Sequence, residues 1–192
     1  GRKQGNGNMA MEIIDCLCGV GPWTPKDPLL PTAPADILKI MDHVGISRAL
    51  AYGNHVQIFP SRESVNRQAT EAARFSDRFI PAFIVMPATY YPPADVTLQF
   101  DAMRKAGAKA VGLKLPGPPH LRGYWRWYIG DLLQGCAARR LPVLFHAEDT
   151  DPAVVHTLCA DFPELRLIVT GAGYGQDEIY YPLLRLHPNL RL

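Results

Sequence analysis

A chain of 192 residues, 47% hydrophobic and 20% charged with a formal net charge of +2, has the composition of an ordinary globular domain able to bury one core. Lys and Arg are spread without a basic block, which argues against a nucleic-acid or membrane-surface footprint, and no apolar run approaches the roughly 20 residues that span a bilayer. No basic-then-apolar leader opens the chain, so a cytoplasmic location is the default, and Cys16, Cys18, Cys136 and Cys159 sit in the apolar settings of reduced thiols.

Residues 1–10 are polar and glycine-rich at their start and are expected to form a flexible extension, with residues 11–192 as one domain. Met11 to Cys18 reads as a first strand ended by Gly19-Val20-Gly21-Pro22. Thr32 is the expected N-cap of a helix carrying Ile37, Leu38, Met41 and Val44, with Gly45 as a left-handed terminator. A strand from Arg48 to Tyr52 leaves through Gly53-Asn54-His55, and Ser61 opens a helix with Val65, Ala69, Ala72, Ala73 and Phe75 on its apolar side.

The unit then recurs. Phe79 to Val85 is a strand leaving through Met86-Pro87, Asp95 to Ala106 a helix ended by Gly107, and Ala110 to Leu115 a strand that contains Lys114. A helix around Trp127 to Arg139 leads to Pro142-Val143-Leu144-Phe145-His146-Ala147-Glu148-Asp149. This short apolar run has no polar alternation, as expected of a strand buried on both faces. Asp151 and Pro152 start the next helix. Leu165 to Thr170 is a strand leaving through Gly171-Ala172-Gly173, and a helix with Leu183, Leu184 and Leu186 runs into a partial strand at Leu190. The domain is expected to be cut short there.

Strand and helix thus alternate about seven times at the spacing of βαβ units, which predicts an α/β fold. Short, uniform returns favour a (β/α)8 TIM-like barrel, here C-terminally incomplete, with an open doubly wound sheet as the alternative. In either fold the site lies outside the carboxyl ends of the strands. His146 and Glu148, two apart and expected to point the same way, are the catalytic candidates, as ligand, general base or a carboxylate-satisfied pair. Glu148 has a capping role as its alternative. Lys114 is either an inward anchor for an anionic substrate group or a snorkelling rim lysine. His55 and Asn54, beside Tyr52, are further substrate-binding candidates, whereas His43, His120, His156 and His187 fall away from the exits. Gln176 stands where the third glycine of G-x-G-x-x-G would be, which leaves the glycine run at 171–175 an incomplete dinucleotide fingerprint. Trp125, Trp127 and Tyr128 line either the mouth or the barrel's outer wall.

Ile13-Ile14-Asp15, Val44-Gly45-Ile46-Ser47-Arg48-Ala49-Leu50, Ala110-Val111-Gly112-Leu113-Lys114, Leu141-Pro142-Val143-Leu144-Phe145-His146 and Phe162-Pro163-Glu164-Leu165 resemble the corresponding phrases of the amidohydrolase superfamily. The likeness is to the amidohydrolase-related branch that includes aminocarboxymuconate-semialdehyde decarboxylase. The resemblance implies one divalent metal, commonly zinc, held by a His-x-His pair on the first strand, a His on the fifth, often a His on the sixth, and an Asp on the eighth. His146 matches the fifth-strand ligand. Leu17 and Gly19 stand where the pair belongs, Gly171 stands at the sixth-strand histidine, and the strand bearing the aspartate would lie beyond Leu192. Cys16 and Cys18 have the spacing of a thiolate pair but are one residue out of register with the lost histidines, which favours buried thiols against the helix layer. The implied activity is metal-assisted hydrolysis or decarboxylation of a small carboxylate-bearing substrate, with His146 as metal ligand or base, Glu148 its partner and Lys114 an anion anchor. A barrel that has lost its metal and binds or scaffolds, or one that uses metal-free acid–base catalysis, is the alternative. Unpaired sheet edges make a homo-oligomer possible.

Overall fold

The computed structural model describes residues 11–22, 30–54, 62–87, 95–112, 124–173 and 177–192. Among the described residues seven strands alternate with six helices: β1 (Ile14–Val20), α1 (Pro34–Val44), β2 (Arg48–Gly53), α2 (Arg62–Phe75), β3 (Phe79–Ile84), α3 (Val96–Ala106), β4 (Ala110–Gly112), α4 (Arg126–Ala138), β5 (Val143–His146), α5 (Pro152–Asp161), β6 (Leu167–Thr170), α6 (Asp177–Leu186) and β7 (Leu190–Arg191). All neighbours pair in parallel, in the order β1-β2-β3-β4-β5-β6-β7. A doubly wound sheet reverses its strand order partway. The unbroken order here is that of an incomplete barrel, and the open-sheet alternative is set aside.

The two faces of the sheet have different neighbours. Leu50, Ala82, Ala110 and Leu144, with Cys16, Tyr52, Ile80 and Ile168 against them, form one cluster drawn from six successive strands, which is the concave inner face. The residues between them face outward. Phe83, Val111, Val143, Phe145, Leu167 and Val169 pack with Met103, Ile129, Leu132 and Leu158 of the helices in the main core. Cys18, Val20, Ala49 and Ala51 pack with Ile37 and Met41 of α1.

Local signals place most element ends where the sequence predicts them. Gly45 and Gly107 end α1 and α3 in the left-handed conformation, with φ of 78° and 71°. Asp95 and Asp151 cap α3 and α5 by accepting from Leu98 N and Ala153 N. The first helix differs, because Ala33 rather than Thr32 is its N-cap and makes no side-chain cap bond. Pro34 at the first helical position forces residue 33 into extended backbone, and the boundary follows the proline. β1 runs two residues later than predicted, to Val20, and β6 begins at Leu167 because Leu165 closes a turn onto Phe162 O. The expected N-cap Ser61, the extension at 1–10 and the second half of the fourth predicted strand, 113–115, lie outside the described residues.

Half-buried and buried polar side chains tie helices to strand ends. Asn66 of α2 accepts from Ile84 N and donates to Ile84 O, and Gln99 of α3 does the same with Met86. Two carboxamides thereby fix the β3 exit from both sides. Arg78 clamps the opposite end of the barrel by donating to Ser47 O and Ile46 O and pairing with Asp42. Among the described residues no helix is long and apolar enough to cross a membrane.

His156 of α5 and His187, just past α6, bring Nδ1 and Nε2 within 2.7 Å. Burial, and after it the neighbouring His156, holds the His187 imidazole below its usual 6.5. A folded value below the unfolded one means that the neutral ring is favoured by folding. The stabilisation is complete above the unfolded value and is lost as pH falls through the folded one. Unfolding free energy is therefore expected to fall between about pH 7.5 and about pH 5, with a shallower fall in His156→Ala, read from urea midpoints. Equal pH slopes in the two proteins would remove the pair as the cause.

Candidate active site at the strand exits

Alternation along each strand assigns the inner face of the mouth. Two residues beyond the inner cluster come Ile84 on β3, Gly112 on β4, His146 on β5 and Thr170 on β6. Tyr52 stands at the β2 exit and Gly19, which pairs with it, on β1. Among the described residues the mouth has an apolar floor with an imidazole, a phenol and a hydroxyl around it. At Gly112 the Ile84 side chain fills the space beside the backbone, its Cδ1 2.9 Å from where a Cβ would be.

β5 delivers His146 because Phe145 anchors the strand on the other side, 1% exposed and edge-on to Tyr124 at 4.8 Å between ring centroids. The strand ends at His146, and residues Ala147–Asp149 form a 3-10 turn. Alternation therefore stops, and Glu148 is not the same-side partner that two-residue spacing predicts. Its carboxylate is exposed, and its link to His146 is its backbone N–H, which donates to His146 Nδ1 at 3.3 Å. Nor does Glu148 cap the following helix, since Asp151 does.

Gly171 carries a φ of 72°, and a Cβ on it would lie 2.6 Å from His146 Nε2 and 2.8 Å from Cε1. The missing side chain at this exit is what lets the imidazole lie across the end of β6. Thr170, directly opposite His146, is buried and donates to Phe145 O at 3.2 Å, tying the two exits together. It is a site residue the sequence reading did not single out. A threonine ending an apolar strand reads as β-propensity, and only the register with His146 marks it.

Asn54 is buried in a turn after β2 and donates from Nδ2 to Gly21 O at 2.9 Å. Its Oδ1 occupies the place a Gly19 side chain would take, 2.0 Å from the ideal Cβ. It braces the β1 exit, and a side chain at position 19 would displace it. The two further substrate-binding candidates, His55 and Lys114, lie outside the described residues, as does the third-glycine position at Gln176.

The thiol pair separates. A bulge lets β1 advance by three residues, Asp15 to Cys18, while β2 advances by two, Ala49 to Ala51. Cys18 joins the outer cluster under α1 as predicted, whereas Cys16 packs against the inner one. Burial, and then the charge on Asp15, pushes Cys18 up to about 12 and raises Cys16 as well. Neither is poised as a thiolate ligand. Burial above all also raises Tyr52, so the phenol at the mouth stays protonated at neutral pH. Among the described residues no three His, Cys, Asp or Glu side chains converge as a metal cluster. Trp125 and Trp127 stack at 5.3 Å and are 49% and 75% exposed beside the start of α4.

A family profile described as amidohydrolase matches residues 25–192. Among solved structures, an uncharacterised TIM-barrel protein from Bordetella bronchiseptica aligns with a TM-score of 0.64 at 16% identity, over 94% of this chain and 74% of that one. A probable 2-pyrone-4,6-dicarboxylic acid hydrolase from Acinetobacter baumannii aligns at 0.55 and 14%, over 94% and 68%. The 2,6-dihydroxybenzoate decarboxylase from Rhizobium aligns at 0.59 and 14%, over 92% and 70%. These likenesses establish the barrel fold. No curated protein matches the chain.

Proposed function

This chain belongs to the amidohydrolase family, and from that premise we propose that its mouth takes a small carboxylate-bearing molecule for hydrolysis or decarboxylation, with His146 as the imidazole that meets it. The observation that carries the reading is the placing of His146 at the β5 exit, over an apolar floor and opposite Thr170. Two of the structural neighbours, by name a dicarboxylic acid hydrolase and a hydroxybenzoate decarboxylase, support the substrate class. Lys114 and His55 are proposed as further contacts for the anionic group, with Asn54 bracing the rim.

The family's divalent ion, zinc most commonly, would supply Lewis acidity and an activated water. The donor set does not fit it. A catalytic zinc takes three protein ligands. Of the four positions that carry imidazoles in the resembled pattern, Leu17, Gly19 and Gly171 have no donor side chain, and His146 already uses Nδ1 as an acceptor. No step is therefore routed through a metal. The mouth's own groups bind and orient the carboxylate, and the apolar floor keeps water from its inner side.

The test is product formation from a panel of ring carboxylates and dicarboxylates, followed by chromatography, with and without dipicolinate and with added zinc. Turnover indifferent to both additions is the expected result, and turnover that dipicolinate abolishes and zinc restores overturns the metal-free form. Saturable binding by calorimetry without product supports the second reading, a binding protein on the same barrel, which the replaced ligand positions favour.

A further inference from the structure

We infer that His146 is held as the Nε2–H tautomer and presents that N–H, not a lone pair, to a carboxylate oxygen in the mouth, with Gly171 as the positioning residue that leaves it room. A neutral imidazole has one nitrogen that donates and one that accepts. Here Nδ1 faces the backbone N–H of Glu148 at 3.3 Å, in a two-residue turn that the histidine itself caps. An N–H can be received only by a lone pair, so the proton of the neutral ring sits on Nε2. Histidines that ligate metals show the reverse, with the free nitrogen donating to a carbonyl or carboxylate. The same geometry removes His146 as a neutral-state general base through Nε2.

The second half of the arrangement is Gly171. Nε2 and Cε1 lie within 2.6 Å and 2.8 Å of its ideal Cβ, and its φ of 72° is one that other residues resist. Any side chain there would push the ring off the Glu148 N–H. Among the described residues Nε2 has no hydrogen-bond partner, which leaves its proton for a ligand. A carboxylate oxygen is the acceptor that gains most from such a donor over an apolar floor. That carboxylate half rests on the proposed function, whereas the tautomer does not.

Long-range nitrogen–proton NMR on the full chain labelled at histidine, above the imidazole titration range and assigned with His146→Gln, reads the tautomer directly. The expected pattern for His146 is a protonated Nε2 and an unprotonated Nδ1, unchanged by added zinc and lost in Gly171→Ala whose fold is verified by its amide spectrum. An Nδ1–H pattern, an even mixture, or a Gly171→Ala protein that keeps the parent pattern overturns the inference. Sodium benzoate, used as the carboxylate probe, is expected to shift the His146 Nε2 signal saturably. Because glutamine keeps an N–H near the Nε2 position, His146→Gln is expected to retain benzoate affinity within about threefold, while His146→Asn, whose shorter amide places its N–H groups short of the Nε2 position, loses at least about tenfold. A benzoate titration that leaves Nε2 unmoved, or equal losses in the two variants, overturns the donor role with the tautomer still standing. Failure of the turnover assay touches neither readout of the tautomer.

Discussion

Phe145→Ala is expected to remove about 3 to 5 kcal/mol of unfolding free energy, measured as a shift of the urea midpoint at unchanged slope. The ring is 1% exposed and meets Tyr124 edge-on at 4.8 Å, inside the cluster that joins β5 and β6 to α4 and α5. Alanine would leave both an unfilled volume and a lost aromatic pair worth about 0.5 to 1.5 kcal/mol beyond area. The backbone of the same residue accepts the Thr170 hydroxyl, so relaxation into the cavity also moves the two exits that carry His146 and Gly171. A loss below about 1 kcal/mol would mean that the helix layer collapses onto the gap and that Phe145 does not hold the site.

The largest functional effect is expected from His146→Ala. A pre-placed donor removed from a water-poor site costs about 10²- to 10³-fold in turnover, and His146→Ala is expected to show that loss in kcat/KM with the urea midpoint little changed. The side chain is half-buried and contributes one long hydrogen bond to the fold, so stability has little to lose. Turnover within about twofold of the parent would displace His146 from the centre of the site.

Most of the fold is legible in the sequence because local chemistry and tertiary packing agree there. Gly45, Gly107, Asp95 and the Asp151-Pro152 pair end or start their helices as predicted, since each satisfies backbone groups that no distant contact could serve better. Residues two apart do share the inner face where strands are regular, as with Leu144 and His146. The misreadings come where regularity fails. A proline moves the first N-cap to Ala33, a bulge separates Cys16 from Cys18, and a tight turn after His146 takes Glu148 out of alternation. Turns and bulges are decided by single backbone hydrogen bonds, and a pattern of side-chain types does not record them. The role of Gly171 is legible in sequence only as a missing histidine, because its closeness to the His146 ring is set by the pairing of β5 with β6.

The unbroken β1-to-β7 order also bears on how such a chain is made. Among these seven strands each docks on the one made just before it, so none of these pairings waits for a distant segment, and each closes one strand–helix unit of roughly 30 residues. A ribosome releasing about 5 to 20 residues per second would add one such unit every few seconds. At each stage the growing sheet has a single new edge, which the next unit to emerge covers. The exits at β5 and β6, where His146 meets Gly171, belong to the later part of that order, after the residues of β1 to β4 have been made.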